Sequence, residues 1–278
     1  MSHADPGAGA SRERERRRRA RRRPPGAPPR GLLLLPHLIT TAGLFFGFYA
    51  IVHAFGGQAD RAALGIVLAG ICDALDGRIA RLARATSRFG VEYDSLADIV
   101  SFGVAPAMLA FSAGNLHVLG RTGWVMAFLF TVCAALRLAR FNTGPSRYRG
   151  RFEGLPSPAA AGVVATTQWF ASWVRSQGAD FNIPEPVVAG GVATLGLLMV
   201  SGIPYRSFKE LDLRHSFGTL VVVVLGLIVI VQEPSVTLFA CGLAYTAHGP
   251  VEWLWRRASG RRLEEAEPAH DLPGVSHE

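Results

Sequence analysis

The chain has 278 residues, of which 49% are hydrophobic and only 18% charged, with a formal net charge of +8. A soluble domain of this size carries more charge and spreads it more evenly, so charge confined to blocks between long apolar stretches excludes a water-soluble globule. Crossing a hydrocarbon core of roughly 30 Å takes about 20 apolar residues, and backbone groups in lipid need partners within the segment, so helical spans are expected.

Residues 1–30 are low in complexity: an arginine run from Arg12 to Arg23, then a proline-rich stretch. They bury too little apolar surface to fold and are expected to be disordered. No apolar core segment lies within them, so no cleavable signal peptide is expected. Because a span follows directly, the run reads either as a polybasic anchor on anionic headgroups or as a topology signal. Binding of nucleic acid is not expected.

Eight apolar segments follow, at about 32–55, 61–83, 96–118, 122–141, 157–176, 186–203, 215–232 and 235–255. Basic residues cluster after every second one. Arg78, Arg81, Arg84 and Arg88 follow the second; Arg137, Arg140, Arg147, Arg149 and Arg151 flank the end of the fourth. Arg206, Lys209 and Arg214 follow the sixth, and Arg256, Arg257, Arg261 and Arg262 the eighth. By the positive-inside rule both termini and these connections face the cytoplasm. The expected fold is all-α: a polytopic integral membrane bundle of about eight transmembrane helices over residues 31–258, with a polar tail at 259–278. Cys72, Cys133 and Cys241 lie inside apolar segments without CxxC spacing, so they read as small buried residues and no disulfide is expected.

The densest chemistry follows the second segment. Asp73, Asp76, Gly77, Ala80, Arg81, Gly90, Asp94 and Asp98 form D-x2-D-G-x2-A-R-x8-G-x3-D-x3-D. Asp73 and Asp76 share one helical face; Asp94 and Asp98 share another at the start of the next helix. A short connection makes the two helices antiparallel neighbours, so their acidic faces converge. Four carboxylates at one point repel unless protonated or metal-bound, and hard oxygen donors suit Mg²⁺ or Mn²⁺. The bland alternative is a solvated helix end with salt bridges to nearby arginines. Gly77 leaves room for close approach of a ligand, and Arg81 is the best candidate for a phosphate contact. Arg84 and Arg88 either share that contact or anchor the loop to headgroups.

This eight-position pattern resembles the signature of the CDP-alcohol phosphatidyltransferase family, integral membrane enzymes that move a phosphatidyl group from a CDP-linked lipid to an alcohol. The resemblance implies a six-helix core, here with two helices added, and a homodimer. It implies Asp73, Asp76, Asp94 and Asp98 as ligands to two divalent ions. It makes Asp98 also the base that takes the acceptor's proton, and Gly77, Ala80, Arg81 and Gly90 the lining of the CDP site. Three further stretches resemble the membrane-embedded phosphatidylserine synthase branch: Ser101-Phe-Gly-Val-Ala-Pro-Ala107, Leu136-Arg137-Leu-Ala-Arg140-Phe-Asn142 and Phe152-Glu153-Gly154-Leu155-Pro156-Ser157-Pro158. With the first span they extend the likeness over about residues 36–165. The implied substrates are CDP-diacylglycerol and L-serine in a membrane lipid setting, with the active site on the cytoplasmic face of the cell inner membrane. One departure stands out. The branch commonly opens its first span Pro-Asn-x-x-Thr-x-x-Asn, whereas this chain reads Pro36-His37-Leu-Ile-Thr40-Thr-Ala-Gly43.

Serine carries a carboxylate that a guanidinium grips in bidentate fashion. Arg137 and Arg140, one turn apart near the end of the fourth segment, are the expected acceptor contacts. Asn142 is expected to add a polar one, and Glu153 to face the ammonium. Ser157, before Pro158, is expected as a helix N-cap, and His37 as a span-end residue hydrogen-bonded to backbone. A phosphorylated acceptor would instead call on Arg147, Arg149 and Arg151. A non-catalytic carrier would line its path with acids at mid-span, whereas these sit at a span's end. Nucleophilic catalysis by a His-x-Lys pair is excluded, since Lys209 is the single lysine.

Overall fold

A computed structural model describes residues 30–82, 87–144, 151–206, 225–226, 228 and 230–259. The helices are α1 (Arg30–Phe55), α2 (Ala59–Leu82), α3 (Arg88–Asp98), α4 (Ala105–Ser112), α5 (Arg121–Thr143), α6 (Ser157–Ser176), α7 (Glu185–Val200) and α8 (Pro234–Ala258). A π-helical turn, Ile99–Val104, joins α3 to α4, so the three run on as one span. Each expected segment except 215–232 falls on a described helix. That segment lies largely outside the described residues, as do the N-terminal arm, the tail from 260, Arg84, Arg147, Arg149, Lys209 and Arg214.

The bundle is turned inside out relative to a soluble protein. On α1 the small Ala50 and Ala54 are buried while Leu38, Phe45, Phe48, Val52 and Phe55 point outward. On α2 the buried positions are again small: Ala62, Ala63 and Ala69. Lipid tails are as apolar as leucine, so large side chains gain nothing by turning inward, whereas small ones let two backbones close together. Among the described residues three spans are long and apolar enough to cross a bilayer, Leu35–Phe55, Arg88–Ser112 and Arg121–Thr143. This is an all-α integral membrane protein.

Two buried clusters organise the helices. Ala50, Ala62, Ile66, Phe102, Leu109 and Ala165 join α1, α2, α4 and α6. Phe130, Cys133, Leu155, Val163, Val192 and Met199 join α5, α6 and α7. The only sheet among the described residues is a two-stranded antiparallel ribbon, β1 (Arg151–Glu153) with β2 (Pro204–Arg206), set beside the entry to α6. Gly154 leaves β1 at φ +77, where a β-carbon would also meet the Met199 carbonyl, so the turn into α6 requires glycine.

Two boundaries differ from expectation. The third span begins at Arg88 rather than near 96, because Ser87 caps α3 by accepting the Gly90 N–H at 3.0 Å. Asp94 and Asp98 therefore sit about 9 and 15 Å along the helix from its first residue, deeper than a helix start. Ser157 is not the N-cap of α6. Pro156 precedes the helix, and the Ser157 hydroxyl accepts a hydrogen bond from Arg137 Nη1 at 2.9 Å.

Candidate functional site

α2 and α3 bring the acids together. Carboxylate oxygens of Asp73, Asp76 and Asp94 all lie within 4.8 Å of one another. Asp98, one turn beyond Asp94, falls outside that closest trio but lines the same small cavity with all three. The π turn begins at the next residue, Ile99, and widens the helix there. It carries the Ser101 hydroxyl onto the Gly43 carbonyl of α1 at 3.2 Å. Such turns often lie next to functional sites.

The donor set fits a divalent cation. Three oxygens from two helices converge, and among the described residues no arginine or lysine pairs with Asp76 or Asp94. Uncompensated, such a cluster is strongly self-repelling in a partly buried place. Asp76, the most buried of the trio, accepts a hydrogen bond from the Thr40 hydroxyl at 2.9 Å. Sequence reasoning misses Thr40. Its signal is the threonine retained in the opening of the first span, beside two replaced asparagines.

A cleft of about 190 Å³ opens from the carboxylates. Its lining includes Gly77, Ala80, Arg81 and Gly90, the four positions expected to hold a nucleotide, together with Asp76, Asp94 and His37. A β-carbon on Gly77 would lie 3.5 Å from Arg81 Nη1, so the guanidinium folds back along the cleft floor. A β-carbon on Gly90 would come within 2.8 Å of the His37 ring. That ring stands edge-on to Phe89 and, among the described residues, makes no backbone hydrogen bond, contrary to expectation. At this site an imidazole has taken the place of an amide, and packs as an aromatic.

A second cavity, of about 280 Å³, is lined by Arg137, Arg140, Phe141, Phe152 and Glu153 among others. Arg140 pairs with Glu153 across it. Arg137 is tethered by Ser157, and its Nε is buried without a hydrogen-bond partner among the described residues. The Arg137 charge also acts on Asp98 and, more weakly, involves Asp73. Asn142 does not line the cavity; its amide donates to Ser95 Oγ at 2.8 Å, tying the end of α5 to α3. Arg151 points away, to Glu252.

Residues 33–204 match the family model described as CDP-alcohol phosphatidyltransferase. The chain is 36% identical over 225 residues to a CDP-diacylglycerol--serine O-phosphatidyltransferase of Helicobacter pylori (strain J99 / ATCC 700824), covering 81% of this chain and 92% of that one. It is 33% identical over 241 residues to the protein of that name from Mycobacterium tuberculosis (strain ATCC 25618 / H37Rv), covering 80% of each. With the one from Bacillus subtilis (strain 168) it shares 34% over 176 residues, covering 63% and 92%.

Proposed function

We propose a reaction for this chain from one premise: it belongs to the CDP-alcohol phosphatidyltransferase family. The reaction is transfer of the phosphatidyl group of CDP-diacylglycerol to L-serine, giving phosphatidylserine and CMP. The observation that carries it is the convergence of Asp73, Asp76 and Asp94 beside a cleft lined by the motif's other residues. The cleft with Gly77, Ala80, Arg81 and Gly90 opens on Asp76 and Asp94; the second cavity carries Arg137, whose charge is felt by Asp98. The names of the relatives supply the acceptor.

In this reading the cytidine diphosphate occupies the cleft, with Arg81 on a phosphate oxygen. The diacylglycerol tails stay in the bilayer beside the exposed apolar faces. Serine enters the second cavity, its carboxylate on Arg137 and Arg140 and its ammonium toward Glu153. The pair Arg140–Glu153 then opens to take the two charges of the amino acid. Asn142 acts one step removed, by fixing Ser95 on the helix that carries Asp94 and Asp98. Asp98 accepts the hydroxyl proton as the serine oxygen bonds to the phosphorus that bears diacylglycerol. The bond from that phosphorus to the bridging oxygen breaks, and CMP departs with the electron pair. Asp73, Asp76, Asp94 and Asp98 would hold two divalent ions, Mg²⁺ or Mn²⁺. When bound, these supply neutralisation of the diphosphate and of the charge developing on CMP.

The same proposal places the active site and both termini on the cytoplasmic side of the inner membrane, from the distribution of arginines. It takes residues 31–258 as the catalytic domain, 1–30 and 259–278 as appendages, and two copies as the working assembly. Cross-linking in native membranes tests the dimer. The decisive experiment uses purified protein in detergent with CDP-diacylglycerol, a divalent salt and a panel of alcohols. CMP release with serine alone is the expected result. Release with glycerol 3-phosphate or inositol phosphate instead would overturn the choice of acceptor, and release with none would overturn the enzyme reading.

A further inference from the structure

Helix α8 lies beyond residue 204, where the family match ends, yet it is fastened to the ribbon that helps build the second cavity. The fastening begins with a charge problem. In the β1–β2 register Arg151 stands opposite Arg206. Like charges directly opposite each other destabilise a strand pair, more so at the end of a two-stranded ribbon. Glu252 of α8 answers it. Its side chain is only 9% exposed and lies 2.9 Å from Arg151, 3.8 Å from Arg206 and 2.7 Å from Arg256, with His248 at 3.2 Å.

Three contacts of a different kind reinforce the joint. A β-carbon on Gly249 would come within 2.4 Å of the Tyr205 ring, so α8 lies on β2 as closely as a glycine permits. The Tyr205 hydroxyl donates to the Thr246 carbonyl at 3.1 Å, and Tyr245 donates to the Arg206 carbonyl at 3.2 Å. Burial pushes the Tyr205 phenol up to about 12, so it remains a donor at any working pH. The same ribbon contributes to the second cavity: Phe152 and Glu153 line it with Arg137 and Arg140.

We infer that Glu252 is a positioning residue for the acceptor. By neutralising the facing arginines it holds the ribbon against α8, and so sets Glu153 and Phe152 against Arg137 and Arg140. The inference rests on reading that cavity as the acceptor site. Its predicted mark is a selective effect on one substrate, because the nucleotide cleft is built from α1, α2 and α3 and shares no residue with this joint.

The test compares full-length wild type with Glu252→Gln and Gly249→Ala, which attack the joint through charge and through packing. Glu252→Gln is expected to raise the serine KM about ten-fold, the scale of a misplaced contact, and Gly249→Ala several-fold. The KM for CDP-diacylglycerol, CMP affinity and kcat should stay within about two-fold in both. Glu252→Asp keeps the charge on a shorter side chain and should recover part of the loss. If Glu252→Gln does not fold, Glu252→Asp and Gly249→Ala still report the same split. An unchanged serine KM in the variants that fold overturns the inference. So does a parallel loss in both substrates together with a lower melting temperature, the behaviour of a merely structural contact. If wild type uses another alcohol, the serine reading fails and the same split, measured with that alcohol, decides the role of Glu252.

Discussion

The two halves of the site are built in opposite ways. The carboxylate centre comes from 26 consecutive positions, Asp73 to Asp98, on two helices joined by a short connection. The arginine cavity is assembled from the end of α5 and a three-residue strand, is tied to the start of α6 through Arg137, and its strand is braced by a glutamate about a hundred positions further on. The first resists change in spacing because every acid faces the same point. The second permits change, since its contacts pass through side chains that another scaffold could replace. A family that keeps one chemistry and varies its alcohol would gain from that division.

Substitutions that separate the halves test it. The largest effect is expected from Asp98→Asn, which should lower CMP release by about 10³-fold, within the range for a general base, while much of the CMP affinity measured by calorimetry remains. Wild-type turnover by that variant would remove Asp98 from its role. Next comes the acidic trio: chelation should abolish activity, Mg²⁺ or Mn²⁺ should restore it, and Asp76→Asn should weaken Mn²⁺ binding followed by electron paramagnetic resonance. Activity that survives chelation would argue for a metal-free centre.

Arg137→Lys is expected to raise the serine KM by about 10- to 100-fold, because a planar two-pronged donor is replaced by a point charge. CDP-diacylglycerol should be much less affected; an equal loss for both substrates would mean that Arg137 serves the acidic centre instead. The smallest effect belongs to Thr40→Val. It removes one hydrogen bond to a carboxylate, worth about 1.5–3 kcal/mol, and should lower metal affinity about ten-fold with little change in the serine KM.

Much of this is legible in the sequence, and the failures have physical causes. Span positions follow from apolar length, and the convergence of the acids from helical spacing. The depth of Asp94 and Asp98 escapes a sequence reading because a Ser87 cap starts α3 before the apolar run does. The π turn is invisible because a segment that is apolar all round carries no periodicity to mark a change of pitch. Ser157 misleads because the serine-proline pair that suits an N-cap also suits a first-turn residue whose hydroxyl is claimed by Arg137. Arg151 belongs in sequence to an arginine cluster suited to phosphate, yet in space it belongs to Glu252.

Local sequence alone determined that this chain enters a membrane as helices and presents four aspartates near one another, because hydropathy and helical repeat act over one or two turns. Which arginine lines the second cavity and which meets a glutamate of α8 was decided only by the packed bundle. Pairing between distant charges depends on how α5, the ribbon and α8 dock, and in lipid that docking is governed by the fit of small residues, which no local pattern records.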